Sequence, residues 1–167
     1  MKLIIEGGDH IGKSTAAKML SRAHSVPIIH AGIKGDDYDH TYDRMADLQL
    51  KPAIYDRFHL SAFVYGRLLH QHPQNLTDFN FHSLVRWLKA QGVTVAIMFA
   101  SDYDELESRM LNDMDKDEAF DIGIRLAANR HYENLAVHGY RDQLVCDIAW
   151  DISKLGFPQS VSVASWS

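Results

Sequence analysis

Short apolar runs and segments of helical periodicity alternate along this chain. Five runs rich in Val, Ile, Leu and aromatic residues have the length of strands: Leu3–Ile5, Val26–Ile29, Ala53–Tyr55, Val93–Phe99 and Leu144–Trp150. Val93–Phe99 is apolar almost throughout, which is typical of a parallel strand covered by helices on both faces. Neither Ala31–Asp39 nor the tail beyond Asp151 has a clear period, so both are expected to be loops or frayed ends.

Apolar residues three and four positions apart indicate helices between these runs. The sets are Ala16, Met19, Leu20 and Ala23; Leu60, Phe63, Val64 and Leu68; Phe81, Leu84, Val85 and Leu88; and Ile124, Ala127, Ala128, His131 and Leu135. Alternating strands and helices predict an α/β fold, a five-stranded parallel sheet with helices on both faces. In such a sheet, ligands bind at the carboxyl ends of the strands.

Composition and charge narrow the class of protein. At 167 residues with 46% hydrophobic content, the chain fits one domain spanning residues 1–167. Its net charge of −5 argues against nucleic acid and anionic membranes as partners. The first strand begins within two residues of Met1, and no apolar run approaches the roughly 18 residues that span a bilayer, so we expect a cytoplasmic protein. One cysteine, Cys146, excludes a disulfide framework.

The segment after the first strand carries the strongest chemical signal. Gly7-Gly8-Asp9-His10-Ile11-Gly12-Lys13-Ser14 fits the phosphate-binding pattern G-x-x-x-x-G-K-[ST], and Thr15 follows it. The pattern lies between a predicted strand and a predicted helix, as a P-loop requires, so the fold is expected to be that of the P-loop NTPases. Lys13 would reach the β- and γ-phosphates of a nucleotide, and the Ser14 hydroxyl would hold Mg²⁺.

A carboxylate and a guanidinium lie side by side after the third strand, at Asp56 and Arg57. Phosphoryl transfer needs a group that orients the acceptor or holds Mg²⁺, together with cations on the transferred charge, and this pair supplies both. The alternative is a helix N-cap followed by a solvated arginine. Glu6 is expected beneath the P-loop, either behind the Mg²⁺ ligands or bonded to loop amides.

At these residues the chain resembles the thymidylate kinases. Ile5–Thr15 is similar to the P-loop of that family, and Tyr55–Ser61, followed by Tyr65-Gly66, is similar to its Asp-Arg-aromatic motif. Arg109–Glu118 resembles the lid, and the helix after it carries Arg125, Arg130, Tyr132 and Leu135. We therefore expect a short lid at about residues 109–118.

The resemblance implies transfer of the ATP γ-phosphate to a deoxynucleoside monophosphate, with dTMP or a related pyrimidine as the expected acceptor. It assigns the ATP phosphates and Mg²⁺ to Lys13 and Ser14, and the metal or acceptor to Asp56. Arg57 would grip the acceptor phosphate, and Asp9 would approach the acceptor sugar and phosphate.

The residue after the P-loop aspartate departs from the family pattern. The family has arginine there, or glycine together with lid arginines, whereas this chain has His10. The cation that opposes the transition-state charge must come from elsewhere. Arg109 and Lys116 are the lid candidates, while Arg125 and Arg130 lie farther along the helix. Arg109 is equally well explained as a surface helix residue.

Aromatic residues are expected around the base of the acceptor. Phe58 and Tyr65 follow the Asp-Arg pair and are seven positions apart, although Phe58 also suits the core. Arg44, after Tyr38 and Tyr42, lies where the family has an aromatic residue and an arginine that contact the acceptor, but the spacing differs. The apolar set from Leu60 to Leu68 is one candidate surface for a homodimer, and core packing is its alternative.

Two other functions stay open. A deoxynucleoside kinase has a related fold and phosphorylates a sugar hydroxyl, but its usual motif has Glu before Arg, so Asp56 favours a monophosphate acceptor. A nucleotide-dependent switch would hydrolyse ATP or GTP without an acceptor. The guanine-reading pattern Asn-Lys-x-Asp does not occur in the sequence, which disfavours a GTPase switch.

Overall fold

A five-stranded sheet forms the centre of the molecule. The strands are β1 (Lys2–Gly7), β2 (Ile28–His30), β3 (Ala53–Asp56), β4 (Thr94–Ala100) and β5 (Val161–Trp166), in the spatial order β2-β3-β1-β4-β5. The structure is a computed structural model, and it describes residues 1–30, 51–68, 83, 86–113, 121–139 and 161–166.

The first four strands are parallel, and their register brings the two chemical motifs together. In this register Ile5 of β1 pairs with Asp56 of β3, and Gly7 pairs with Met98 of β4. The P-loop and the Asp56-Arg57 pair therefore leave the sheet side by side at its carboxyl edge. This confirms the predicted α/β class and the P-loop topology.

The fifth strand differs from the predicted one. Leu144–Trp150 lies outside the described residues, and β5 instead comes from the tail that was expected to be loop or frayed, so that expectation was wrong for Val161–Trp166. It also runs antiparallel to β4, where a parallel strand was expected. An antiparallel edge strand satisfies the backbone groups along the otherwise open side of β4. In its sequence, V-S-V-A-S-W, apolar and small residues alternate only over the first four positions, so the period-two signal is weak.

Helices cover the sheet. They are α1 (Lys13–His24), α2 (His59–Leu68), α3 (Tyr103–Asp113) and α4 (Ile122–Asn134), and α4 continues into a π-helical turn at Leu135–Gly139. Residues 86–90 are also helical. Three of the four predicted helical sets thus lie on observed helices, and the fourth is described only in part. Helix α3 begins where the Asp102 carboxylate accepts a hydrogen bond from the Glu105 amide at 3.0 Å, a typical N-cap arrangement.

Two hydrophobic cores lie on opposite faces of the sheet. On one face, Ile4 and Ile97 pack with residues of α2 and α4; on the other, Leu3 and Ile5 pack with residues of α1 and α3. Neighbouring residues of a strand point to opposite faces, so β1 contributes to both cores. The helices therefore lie on both faces of the sheet, as predicted.

The apolar set on α2 belongs to the first of these cores. Leu60 and Val64 are buried, and Phe63 and Leu68 pack against the same cluster. This favours the core-packing interpretation of that set, since two of its residues are buried and the other two are partly buried against the same cluster. The homodimer stays a prediction. None of the helices in the described part of the chain combines the length and the apolar character that crossing a bilayer requires.

Candidate functional site

The P-loop backbone adopts conformations that glycine makes accessible. Gly7 has φ 149°, and a Cβ there would collide with the carbonyl oxygen of Met98 on β4. Gly12, the N-cap of α1, has φ 88°. Between them His10 has φ 59°, which non-glycine residues adopt uncommonly. The loop thus turns into the N-terminus of α1, where backbone N–H groups and the helix dipole favour phosphate.

Lys13 is almost completely buried within this loop. It is 6% exposed, and its ammonium donates a hydrogen bond to the carbonyl oxygen of Gly8. Burial lowers the pKa of Lys13 to about 8, while the negative charges of Asp56 and Glu6 oppose that shift. An ammonium that lacks water is well suited to a polyphosphate, which would supply the missing negative charge.

Asp56 lies at the end of β3 and faces α1. Its Oδ2 accepts a hydrogen bond from the Ser14 hydroxyl at 3.0 Å and lies 3.2 Å from His30 Nδ1, at the end of β2. Asp56 is 6% exposed. Hydroxyl and carboxylate oxygens are the ligands that Mg²⁺ prefers, so Ser14 and Asp56 fit the predicted metal site.

Asp9 lies next to two arginines and a tyrosine. We call Asp9, Arg57, Tyr65 and Arg125 together the Asp9 cluster. Its Oδ1 forms an ion pair with the Arg57 guanidinium, and its Oδ2 accepts a hydrogen bond from the Tyr65 hydroxyl at 3.0 Å. Arg125 Nη1 lies 3.8 Å from the same Oδ2. The Arg57 guanidinium also stands 5.8 Å from the centroid of the Tyr65 ring, within the range of a cation–π contact. Two guanidiniums therefore converge beside the P-loop.

Glu6 fixes the turn from which Arg57 projects. It is fully buried, and its Oε1 accepts hydrogen bonds from the backbone N–H groups of Phe58 at 2.8 Å and Leu60 at 2.9 Å. Its Oε2 accepts a bond from the Ser61 hydroxyl at 2.6 Å. Burial raises the pKa of Glu6, and these hydrogen bonds oppose the shift. Glu6 thus bonds backbone amides in the turn after β3 and at the start of α2.

His10 connects the P-loop to two helices. Its Nε2 lies 3.1 Å from Arg125 Nη1 on α4, and its Nδ1 lies 3.4 Å from Asp113 Oδ2 at the end of α3. Helix α4 is held in place by Asn129, whose side-chain amide bonds both backbone groups of Ala100. These contacts place Arg125 next to the loop.

One cavity of about 380 Å³ collects these groups. It is lined by Asp9, His10, Gly12, Lys13, Ser14, Thr15, His30, Asp56, Arg57 and Arg125. Most residues expected to bind nucleotide thus meet in one place. Of the other P-loop residues, Gly7 and Gly8 shape the backbone, and Ile11 is 1% exposed in the core.

Six residues expected at the site or in the lid lie away from the cavity or outside the described residues. Phe58 is 2% exposed, and its ring packs edge-on against that of Tyr55, with 6.2 Å between the ring centroids. Both observations favour Phe58 as a core residue. Arg109 lies on α3 in an ion pair with Glu105 and, within the described part of the chain, outside the cavity. The predicted lid therefore begins inside a helix, and its remaining residues 114–118, with Lys116, lie outside the described residues, as do Arg44, Tyr38 and Tyr42.

Two cavity residues were not assigned a role from the sequence. His30 ends a strand beside Asp56, and strand ends were already expected to carry the ligand site. Arg125 lies three and seven positions before Ala128 and Tyr132, which are fully buried, so it lies close to the inner face of α4. No local signal identified its partners, Asp9 and His10.

Comparison with known proteins identifies solved structures that share this fold. No family model matches the sequence, and no curated protein sequence matches it. Among solved structures, the YorR protein of Bacillus subtilis in complex with phosphorylated GDP is similar, with TM-score 0.65 and 25% identity over 82% of this chain and 81% of that one. Deoxyadenosine kinase of M. mycoides, with the products dCMP and a flexible dCDP bound, has TM-score 0.54 and 15% identity, covering 85% of this chain and 86% of that one. The chain has the P-loop fold of nucleoside and nucleotide kinases, and the likeness is not specific to thymidylate kinases.

Proposed function

We propose that this protein is a nucleoside monophosphate kinase that transfers the ATP γ-phosphate to a deoxynucleoside monophosphate, with dTMP or a related pyrimidine as the expected acceptor. The convergence of Arg57 and Arg125 on Asp9, in the same cavity as Lys13 and Ser14, carries this proposal. A P-loop binds one set of phosphates, and two further guanidiniums beside it suit a second phosphorylated ligand.

The donor half of the site is the P-loop. Backbone N–H groups and the Lys13 ammonium would hold the β- and γ-phosphates of ATP. Ser14 and Asp56 would hold Mg²⁺, which supplies positive charge to the phosphate oxygens when bound. Ser14 and His30 already hold the Asp56 carboxylate in place. Its side chain would therefore lose little further conformational entropy when nucleotide binds.

The acceptor half is the Asp9 cluster. Arg57 is held by Asp9 and Tyr65 at the mouth of the turn that Glu6 supports. A monophosphate would compete with Asp9 for this guanidinium and align its oxygen with the γ-phosphorus. In the reaction the acceptor oxygen attacks that phosphorus in line, the new P–O bond forms, and the bond to ADP breaks.

A deoxynucleoside kinase is the second candidate. The Asp56–His30 pair favours it, because a carboxylate in the cavity could accept the proton of a sugar hydroxyl. A neutral hydroxyl would leave two guanidiniums without an anionic partner from the acceptor, and for that reason we prefer the monophosphate.

An acceptor panel tests the proposal. The protein would be incubated with ATP and Mg²⁺ and, separately, dTMP, dUMP, dCMP, dGMP, dAMP and thymidine, and products would be separated by ion-exchange chromatography. The Lys13→Ala variant, purified identically, controls for contaminating kinases. A diphosphate product from one pyrimidine monophosphate is expected. Product from thymidine alone would favour the second candidate, and ADP release independent of acceptor would indicate a switch or ATPase.

A further inference from the structure

We infer that His10 is a positioning residue, which holds the Arg125 guanidinium over the P-loop so that Arg125 supplies the cation opposing charge on the transferred phosphoryl group. The inference rests on the proposed function and extends it to the residue that departs from the thymidylate kinase pattern. Two contacts carry it: His10 Nε2 to Arg125 Nη1 at 3.1 Å, and His10 Nδ1 to Asp113 Oδ2 at 3.4 Å.

The partners of His10 define its tautomer. A guanidinium has only donors, so Nε2 of His10 must accept the hydrogen bond from Arg125. An ionised carboxylate has only acceptors, so Nδ1 must carry the proton and donate to Asp113. The ring is therefore neutral in this arrangement, and it cannot itself replace the positive charge of an arginine at this position. The positive charge comes from Arg125.

The position of Arg125 depends on this contact. Its Nη1 is 3.8 Å from Asp9 Oδ2, too far for a hydrogen bond, whereas the His10 contact is within hydrogen-bond distance. A long side chain held by one carboxylate at that distance would sample several rotamers. His10 removes that freedom, because it is fixed in the loop backbone and by Asp113.

The surroundings of Arg125 suit a catalytic cation. The side chains of Arg125 and His10 are 20% and 19% exposed, so solvent screens their charge only in part. Helix α4 is anchored one turn later by Asn129, which bonds the backbone of Ala100 on β4. Positive charge on a fixed support stabilises a transition state without reorganisation.

Matched substitutions at His10 test the inference. In His10→Gln, one amide can still accept from Arg125 and donate to Asp113; in His10→Leu it cannot, although the side chains are similar in size. Neither is branched at Cβ, so both tolerate the φ of 59° equally. We expect His10→Leu to lower kcat by about 10- to 100-fold, the factor that one hydrogen bond to a charged group implies, with the KM for ATP changed less than about threefold. His10→Gln should recover most of kcat.

A double-mutant cycle connects the effect to Arg125. Arg125→Ala should lower kcat at least as much as His10→Leu, and the double variant should be no slower than Arg125→Ala alone. Arg130→Ala is the control on the same helix, and it should retain wild-type kcat, since the Arg130 guanidinium lies over the Tyr103 ring, 5.5 Å from its centroid, and Arg130 is not one of the residues that line the cavity. Additive losses, or equal activity of the Leu and Gln variants, would overturn the inference.

The tautomer gives a readout that does not depend on turnover. Nitrogen-15 spectra of the wild-type protein should show His10 protonated at Nδ1 and unprotonated at Nε2. A ring protonated at Nε2 contradicts the inference even if the variants fail to fold. A wild-type protein that phosphorylates no acceptor contradicts the proposed function instead, so the two failures can be distinguished.

Discussion

Replacing Lys13 by Met should stabilise the fold while abolishing phosphoryl transfer. Lys13 is 6% exposed, and lowering its pKa from 10.5 to about 8 corresponds to about 3 kcal/mol against the charged form in the folded state. Methionine has a similar length, is apolar and removes this cost. It also removes the hydrogen bond to the Gly8 carbonyl oxygen, and the loss of that bond cancels about 1 kcal/mol of the gain in stability. We therefore expect a net gain of about 2 kcal/mol at pH 7.

The dependence of this gain on pH has a defined sign. The folded-state pKa of Lys13 is lower than the unfolded one, so between pH 8 and 10.5 the unfolded protein binds more protons and the wild type becomes more stable as pH rises. Lys13→Met has no such dependence. The advantage of the variant should therefore shrink by about 2 kcal/mol between pH 7 and pH 9.5.

Urea denaturation of both proteins at the two pH values measures the difference directly, because contributions from groups that do not interact with Lys13 cancel. Lys18→Met, on the same helix but exposed, is the control and should change stability by less than about 0.5 kcal/mol. A Lys13→Met variant that is less stable than the wild type at pH 7, or a difference independent of pH, would refute the reasoning.

Three further substitutions test the site and its support. Arg57→Ala should raise the acceptor KM by about 10- to 100-fold with little change in the KM for ATP, and equal effects on both would place Arg57 outside the acceptor site. Glu6→Ala should cost about 2–5 kcal/mol in urea denaturation, since it leaves two buried amides without their acceptor, while Glu6→Gln keeps an acceptor there. Because burial raises the pKa of Glu6 above 4.5, the wild type should lose stability relative to Glu6→Gln as pH rises from 4.5 through the raised pKa. Gly7→Ala should cost about 2 kcal/mol or more through collision with Met98, whereas Gly123→Ala, with open space around it, should be neutral or stabilising.

Local patterns in the sequence determined most of the scaffold. The P-loop could be predicted because its glycines, its lysine and the flanking apolar runs are contiguous in the sequence. Each of these features favours a structure in its own segment of the backbone. The adjacency of Asp56 and Arg57 likewise needs no tertiary information. Once the sheet is parallel, its carboxyl edge brings them beside the P-loop, and the pairing of Ile5 with Asp56 agrees with this.

Tertiary packing decided the use of several side chains that local patterns left open. Phe58 suited both a base pocket and the core, and its burial in the hydrophobic cluster that contains Ile4 and Leu60 favours the core. The apolar set of α2 was similarly ambiguous, because a stripe at helical spacing has the same sequence whether it meets a sheet or a second subunit. Docking of α2 on the sheet gave it an intramolecular partner. The sequence also left open whether the last strand runs parallel or antiparallel to its neighbour, since period-two alternation is the same in both kinds of pair.

The contacts of the two arginines beside the P-loop show most clearly what the sequence alone could not predict. His10 and Arg125 are 115 positions apart, and Asp9 and Arg57 are 48 apart, so no periodicity along the chain relates either pair. The sequence by itself determined the P-loop and the helix that carries Arg125. Only the packing of α4 against β4, anchored by Asn129 on Ala100, determined that its arginine meets His10 and Asp9, because contacts between distant segments depend on how whole elements dock.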